Sequence, residues 1–291
     1  MAGGDFYLGR PGALQKLPPP LPGFEVTDLL RGGLHELAAG GNVRDRTQAR
    51  RRWVLGWKAL TDDEWSGLRT LYRLPGPYRL LDPRDRNRLT VNQSTGTEEL
   101  RDTTGHRPVT QGVLASDTAF AHSGTRSLKW DSETALAVSS GRGVAYATSG
   151  TSIDASWAAV RPSVAHTFSV WAHASIAVSM AARIDWYSTA GALLSSSVGS
   201  GTSVSTSAWT QLTVANASSP ATAAYGIGGV QNTTTTGAAV QVWLDDPQLE
   251  EGAVASTWLL GGGSPLVVVD TLAPSAVLAG FTDAELVLLE L

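Results

Sequence analysis

Residues 242–258, VWLDDPQLEEGAVASTW, bring four carboxylates into seven positions: Asp245, Asp246, Glu250 and Glu251. Such a group admits three chemistries: a general acid–base pair, a calcium site, or the polar punctuation that ends a strand. Alternation separates them. Val240, Val242 and Leu244 share one side of an extended segment, with Gln241, Trp243 and Asp245 on the other. Asp246 then falls on the inward parity where the strand leaves the core, and is the one residue of the run placed to help hold an ion. Pro247 is expected to end the ladder. Glu250, Glu251 and Gly252 read as a solvated turn before Trp258 packs back. The run is thus the closing strand of a sheet rather than a catalytic quartet.

Other sources of chemistry are sparse. The histidines, His35, His106, His122, His166 and His173, show no metal-ligand spacing. There is no GxSxG elbow, phosphate-cradling glycine loop or HExxH. The chain has no cysteine, which removes thiolate metal sites and disulfides. The expectation is a protein that is not an enzyme, with no cofactor.

Aromatic placement says more. In HTFSVWAHA, Phe168, Val170 and Ala172 form one face, while Ser169, Trp171 and His173 form the other. In RIDWY, Ile184 and Trp186 oppose Arg183, Asp185 and Tyr187. Three strands therefore set Trp171, Tyr187 and Trp243, with His173 nearby, among polar neighbours on faces turned from the core. Indole and phenol rings stack on the C–H faces of sugars while polar neighbours take the hydroxyls, so these four residues form a carbohydrate-binding set. The alternative is that these aromatics pack beneath a loop or against another domain.

The elements that must position them come in two textures. Residues 1–112 carry 17 Lys/Arg and 13 Asp/Glu; residues 113–291 carry 5 and 13. That asymmetry marks two modules. The basic run ending at Arg50–Arg52 invites a nucleic-acid reading, but without interleaved aromatics it fits a strand edge or subunit contact. Trp53, Leu55, Trp57 and Ala59 alternate onto one face of a strand. A helix over about 62–73 follows, capped by Thr61 with Glu64 closing the capping box. Trp65, Leu68, Leu71 and Tyr72 form its apolar stripe. From 113 to 260, short alternating runs separated by Ser/Thr/Gly-rich turns predict an antiparallel β-sandwich. The closing stretch FTDAELVLLEL is apolar on both faces and asks for a sheet partner. The first module is its expected partner, so residues 1–112 and 261–291 form one domain interrupted by residues 113–260. The N-terminus lacks a signal-peptide pattern and no stretch reaches the length of a membrane-spanning helix, so synthesis in a cytoplasm and no membrane insertion are expected.

Residues 113–258 resemble the jelly-roll carbohydrate-binding modules attached to glycosidases and phage tail proteins. The resemblance rests on HSGTRSLKW (122–130), VRPSVAHTFSVWAHA (160–174), IDWYSTAGALL (184–194), WTQLTVANASSPATAA (209–224) and VWLDDPQLEEGAVASTW (242–258). It implies two antiparallel sheets, sugar bound by aromatics on a sheet face or in edge loops, and a structural calcium for which Asp246 is the candidate; the family's acidic ligand at the start of the module is missing here. Residues 53–96 resemble the N-terminal part of actinobacteriophage minor tail proteins, and GFTDAELVLLEL is similar to the last strand of distal-tail β-domains. That resemblance implies a mainly β chain: a tail-ring β-sandwich domain with one flanking helix, plus the inserted jelly roll. It further implies a virion protein of the tail tip, forming a homo-oligomeric ring, a hexamer in that family, between the tail tube and the hub proteins. The jelly roll would then face host cell-wall glycan. A stand-alone glycan-binding module or adhesin is the alternative reading, and a glycosidase a third.

Overall fold

The computed structural model describes residues 5–29, 34–36, 42–44, 50–95, 103–109, 111–137, 143–278 and 280–291. Strands β1 (Tyr7–Arg10), β2 (Ala13–Lys16), β3 (Glu25–Leu29), β4 (Leu34–Glu36), β5 (Asn42–Arg44) and β6 (Arg50–Thr61) lead to helix α1 (Asp62–Arg73) and β7 (Tyr78–Leu81). A one-turn helix α2 (Val91–Ser94) precedes β8 (Arg107–Pro108), β9 (Val113–Asp117), β10 (Ser127–Asp131), β11 (Gly143–Ala145) and β12 (Ala158–Ala159). Then come β13 (Ala165–Ala174), β14 (Val178–Tyr187), β15 (Leu193–Val198), β16 (Thr202–Val204), β17 (Thr210–Ser218), β18 (Tyr225–Asn232) and β19 (Gln241–Glu251). The long strands β20 (Leu266–Leu278) and β21 (Phe281–Glu290) close the chain. His35 lies on β4, and its side chain is outside the described residues.

Two compact units result: residues 1–10, 14–80 and 265–291 form the first, and 11–13 with 81–264 the second. Residues 81–112 thus belong with the second unit rather than the first. The reason is local bonding: buried Asn87 donates from Nδ2 to the Pro247 and Leu259 carbonyls, and Leu249 N–H donates to its Oδ1.

The first unit holds an antiparallel-paired sheet in the order β2-β1-β7-β20-β21-β6-β3. β21 lies between β20 and β6, opposing Leu286 to Leu55 and Leu288 to Trp53, so both edges of this strand are hydrogen-bonded. Trp53, Leu55, Trp57, Leu286 and Leu288 share a core with Leu68 and Leu71 of α1. Each large apolar side chain taken fully from water contributes about 2 kcal/mol. Ala59 does not continue the inward face; its φ of 54° marks an irregularity in the β6–β21 register, and Leu60 takes the inward place. The helix starts as its residues dictate: Thr61 Oγ1 accepts from Glu64 N–H, and Glu64 Oε2 accepts from Thr61 N–H at 2.9 Å. At its other end, Tyr78 donates from its hydroxyl to the Leu71 and Leu74 carbonyls. Tyr72, in the last turn, is 47% exposed and drops out of the stripe. Of the basic run, Arg51 is bound within the unit to Glu290, with Nε 2.9 Å from Oε2.

The second unit is an antiparallel β-sandwich of sheets β17-β13-β19-β10-β9 and β15-β14-β18-β11-β8, with β12 beside β18 and β16 beside β14. The expected inward residues Phe168, Val170, Ala172, Ile184, Trp186, Val242 and Leu244 fill the space between them, together with Trp130. Gly228 of β18 is required by this packing: a Cβ there would lie 2.5 Å from the Phe168 ring.

Candidate functional site

The outward side of the β17-β13-β19-β10-β9 sheet gathers three of the four expected sugar-binding residues. His173 of β13 is paired with Trp243 of β19, and Trp171 lies two residues away on the same strand face, opposite Asp245. A strap between β9 and β10, residues 118–124, crosses this face. Phe120 stacks on His173 (centroids 4.2 Å apart, planes 22°) and meets Trp243 edge-on at 4.6 Å. His122 stacks on Trp171 at 4.1 Å and 14°, with Trp209 edge-on at 5.7 Å. The strap hides Trp243 and His173, which are 4% and 5% exposed, so these two pack beneath a loop. Phe120, His122, Trp171 and Trp209 remain partly in solvent and form an aromatic shelf. Burial holds the His173 imidazole below its ordinary value, against a bond with the Thr206 backbone.

Polar groups border the shelf. Exposed Gln211 pairs with Trp171 across β17 and β13. Lys129 lies 5.8 Å from the Trp243 centroid and 3.5 Å from Asp117. Next to it, a pocket of about 230 Å³ is lined by Val113, Ala115, Lys129, Asp131 and Glu133. Asp131 is fixed by Glu133 N–H at 2.9 Å and by Gln241 Nε2 at 2.8 Å, which keep its carboxyl below the usual range.

The acidic run lies in the last strand of the sandwich, as expected, but its carboxylates are bonded inside the fold. β19 runs on through Glu251 and stays paired with β13, with Thr167 opposite Glu250 and His166 opposite Glu251. Pro247 sits in a bulge, where the ladder asks for no N–H, so it does not end the strand. Asp246, at φ 49°, is part of the same irregularity. Both aspartates meet the strap: Asp245 Oδ2 accepts from the N–H of His122 (2.7 Å) and Ser123 (3.2 Å). Asp246 Oδ1 accepts from Ser123 Oγ at 2.6 Å, and Oδ2 lies 2.7 Å from His122 Nδ1. Asp245 has no exposed surface, and burial followed by the charge of Asp246 pushes its carboxyl up to about 8.

Glu250 and Glu251 are not solvated. Glu250 is 2% exposed and accepts from Ser256 N–H, Ser256 Oγ and Gln248 Nε2. Glu251 pairs with Arg161 at 2.8 Å. Burial pushes the Glu251 carboxyl up, but Arg161 and Arg88 outweigh it and hold it low.

The donors around Asp246 do not fit calcium. That ion takes six to eight oxygen ligands, whereas both Asp246 oxygens face protein donors. Among the described residues, no three His, Cys, Asp or Glu side chains group as a metal site.

Tyr187 is not brought to this face. It lies on β14 in the other sheet, 6% exposed, and packs on Trp157 (4.4 Å) with Tyr225 nearby. Conversely, Phe120, His122 and Trp209 join the site from loops. The only sequence signal for the first two is a pair of rings two residues apart in the turn-rich segment AFAHSG (119–124).

No protein-family model matches the chain, and no curated relative is similar to it. Among solved structures, it is similar to the CBM22-1 xylan-binding domain from Paenibacillus barcinonensis Xyn10C, at 14% identity and a TM-score of 0.40, over 58% of this chain and 96% of that one. A second is the xylan-binding domain from CBM 22, at 14% identity and 0.41, over 58% and 95%. A third is TmCBM61 in complex with β-1,4-galactotriose, at 14% and 0.38, over 57% and 99%.

Proposed function

We propose that the chain is a non-enzymatic carbohydrate-binding protein, and that its second unit receives sugar on the shelf of Phe120, His122, Trp171 and Trp209. The shelf is the observation that carries this reading: four rings keep solvent contact on one outward face, where a soluble domain would otherwise place polar groups. Gln211, Lys129 and Asp117 stand ready for hydroxyls. The absence of catalysis is supported by the state of the acidic run, whose carboxylates are bonded inside the fold rather than facing a cleft. Affinity electrophoresis through gels containing β-linked polysaccharides tests the reading. Retardation by at least one glycan is expected, with Trp171→Ala weakening binding about tenfold, the worth of one lost ring stack. Migration unaffected by every glycan, or equal retardation of Trp171→Ala, would sink it.

A second reading concerns the first unit. We infer that it is the assembly module of a phage tail tip, building a homo-oligomeric ring between tail tube and hub proteins, with the glycan-binding unit turned toward the host cell wall. It rests on the resemblance of residues 53–96 and of the closing strand to phage tail proteins, and the pairing of β6 with β21 agrees with the interrupted domain which that resemblance implies. Negative-stain images and native mass spectrometry test it: sixfold rings are expected, and a monomer at all concentrations counts against it.

A further inference from the structure

Strand β15 stands at an open edge of the β15-β14-β18-β11-β8 sheet. An edge strand presents a row of unpaired N–H and C=O groups that another strand can take up, and folds blunt such rows with charge, proline, bulges or shortness. Among the described residues, the other sheet edges carry these devices. β2 has Lys16, β3 has Glu25 and Asp28, and β9 has Asp117. β4, β5, β8, β12 and β16 are two or three residues long. β17 is bulged near Asn216, whose φ is 53°. β15 reads LLSSSV, with no charge and no proline, and its one irregularity lies at its first two residues. Five of its six residues are exposed. Leu193 is 56% exposed, Val198 46% and Leu194 38%, so the apolar part of this edge is open to solvent.

The outward pattern of β15 is its own complement. Val198, Ser196 and Leu193 stand opposite Arg183, Asp185 and Tyr187 of β14, and Leu194 is the extra residue of the irregularity. Ser195 and Ser197 stand opposite the core residues Trp186 and Ile184, so they face inward. The outward order is thus apolar, serine, apolar in either direction. An antiparallel two-fold axis through Ser196 sets Leu193 of one copy beside Val198 of the other, twice, with the serines facing one another between them. The nearest charges do not oppose this. Asp185 is held by Arg183 and by Ser196 Oγ. Its counterpart across the axis would lie three strand spacings away, roughly 14 Å, beyond the screening length of about 8–10 Å. We propose that β15 pairs with β15 of a second copy of this chain, joining the two sheets into one. A six-residue edge buries less than the roughly 1,200 Å² of a standard interface. The pairing is therefore a weak contact, acting at high protein concentration or between copies already held together. It depends neither on sugar binding by the shelf nor on a ring built by the first unit.

Sedimentation velocity of the full chain, from micromolar concentration to about 1 mM, tests the contact. Wild type is expected to associate in pairs as concentration rises, with the β15 backbone amides gaining protection from hydrogen exchange in step. Leu193→Lys should weaken the pairing about tenfold, because symmetry enters the change twice, and Val198→Lys should do the same. Leu193→Lys combined with Val198→Glu should restore it, since the axis brings the two introduced charges of opposite sign together. Circular dichroism confirms that each variant is folded. Wild type and folded Leu193→Lys sedimenting alike at every concentration overturns the proposal, whether or not both form rings through the first unit. A folded double variant that stays as weak as Leu193→Lys overturns it too.

Discussion

Asp245 is a wholly buried carboxylic acid beside a second carboxylate, and burial, then Asp246, push it up to about 8. In the unfolded chain an aspartate titrates near ~3.9. Between those values the unfolded state has released its proton while the folded state still holds it. Stability therefore falls as pH rises, being complete below about 4 and lost as pH passes through about 8. The slope for one group is about 1.4 kcal/mol per pH unit, which bounds the loss between about pH 5 and pH 8 at ~4 kcal/mol. The backbone N–H groups of His122, Ser123 and Asp246 all donate to this carboxyl and remain there when it ionises. Those bonds already act in setting the value of about 8; local adjustment of the strap and entry of water as the carboxyl ionises bring the expected loss to about 2 kcal/mol. Urea denaturation of wild type and Asp245→Asn across this range measures it. Groups remote from the strap contribute alike to both proteins, so the difference between the two reports on Asp245 and its immediate neighbours. A difference that stays flat, or that shows wild type gaining stability with pH relative to the variant, refutes the reasoning.

Two substitutions probe how the second unit is held together. Asn87→Ala strips hydrogen bonds from the carbonyls of Pro247 and Leu259 and from the N–H groups of Leu89 and Leu249. Even with a water recovering part of this, it should cost about 3–5 kcal/mol by chemical denaturation; a loss under ~1 kcal/mol would contradict the bonding. Gly228→Ala drives a methyl group into the buried Phe168 ring and should cost about 2–3 kcal/mol. The cost should shrink in a Phe168→Leu background, and strict additivity of the two changes would rule out the contact.

Where a local rule governed, the sequence was a sufficient guide. The capping box at Thr61 and Glu64 set the helix at Asp62–Arg73, because both partners lie within one turn. Alternation on β13, β14 and β19 placed Phe168, Val170, Ile184, Trp186, Val242 and Leu244 inward, because a strand has a period of two whatever it pairs with. The same parity put Trp171, His173 and Trp243 on one outward face. It failed beyond Leu244, where a bulge broke the period: Asp246 turned to the strap and β19 continued past Pro247. It failed at Ala59 for a related reason, an irregularity in register with a partner more than 200 positions away.

The sequence by itself determined the class of fold, the helix, the inward residues of the principal strands and the rings that face outward from them. Only the tertiary structure decided which of those rings water reaches. A strand's side chains declare which face they take, but what covers that face is a loop from elsewhere in the chain. Residues 118–124 bury Trp243 and His173, bring in Phe120 and His122, and give the first two carboxylates of the run their purpose: Asp245 and Asp246 hold the strap in place. Tyr187 was separated from its supposed partners in the same way, since parity assigns a face of a sheet but not which of the two sheets a strand joins.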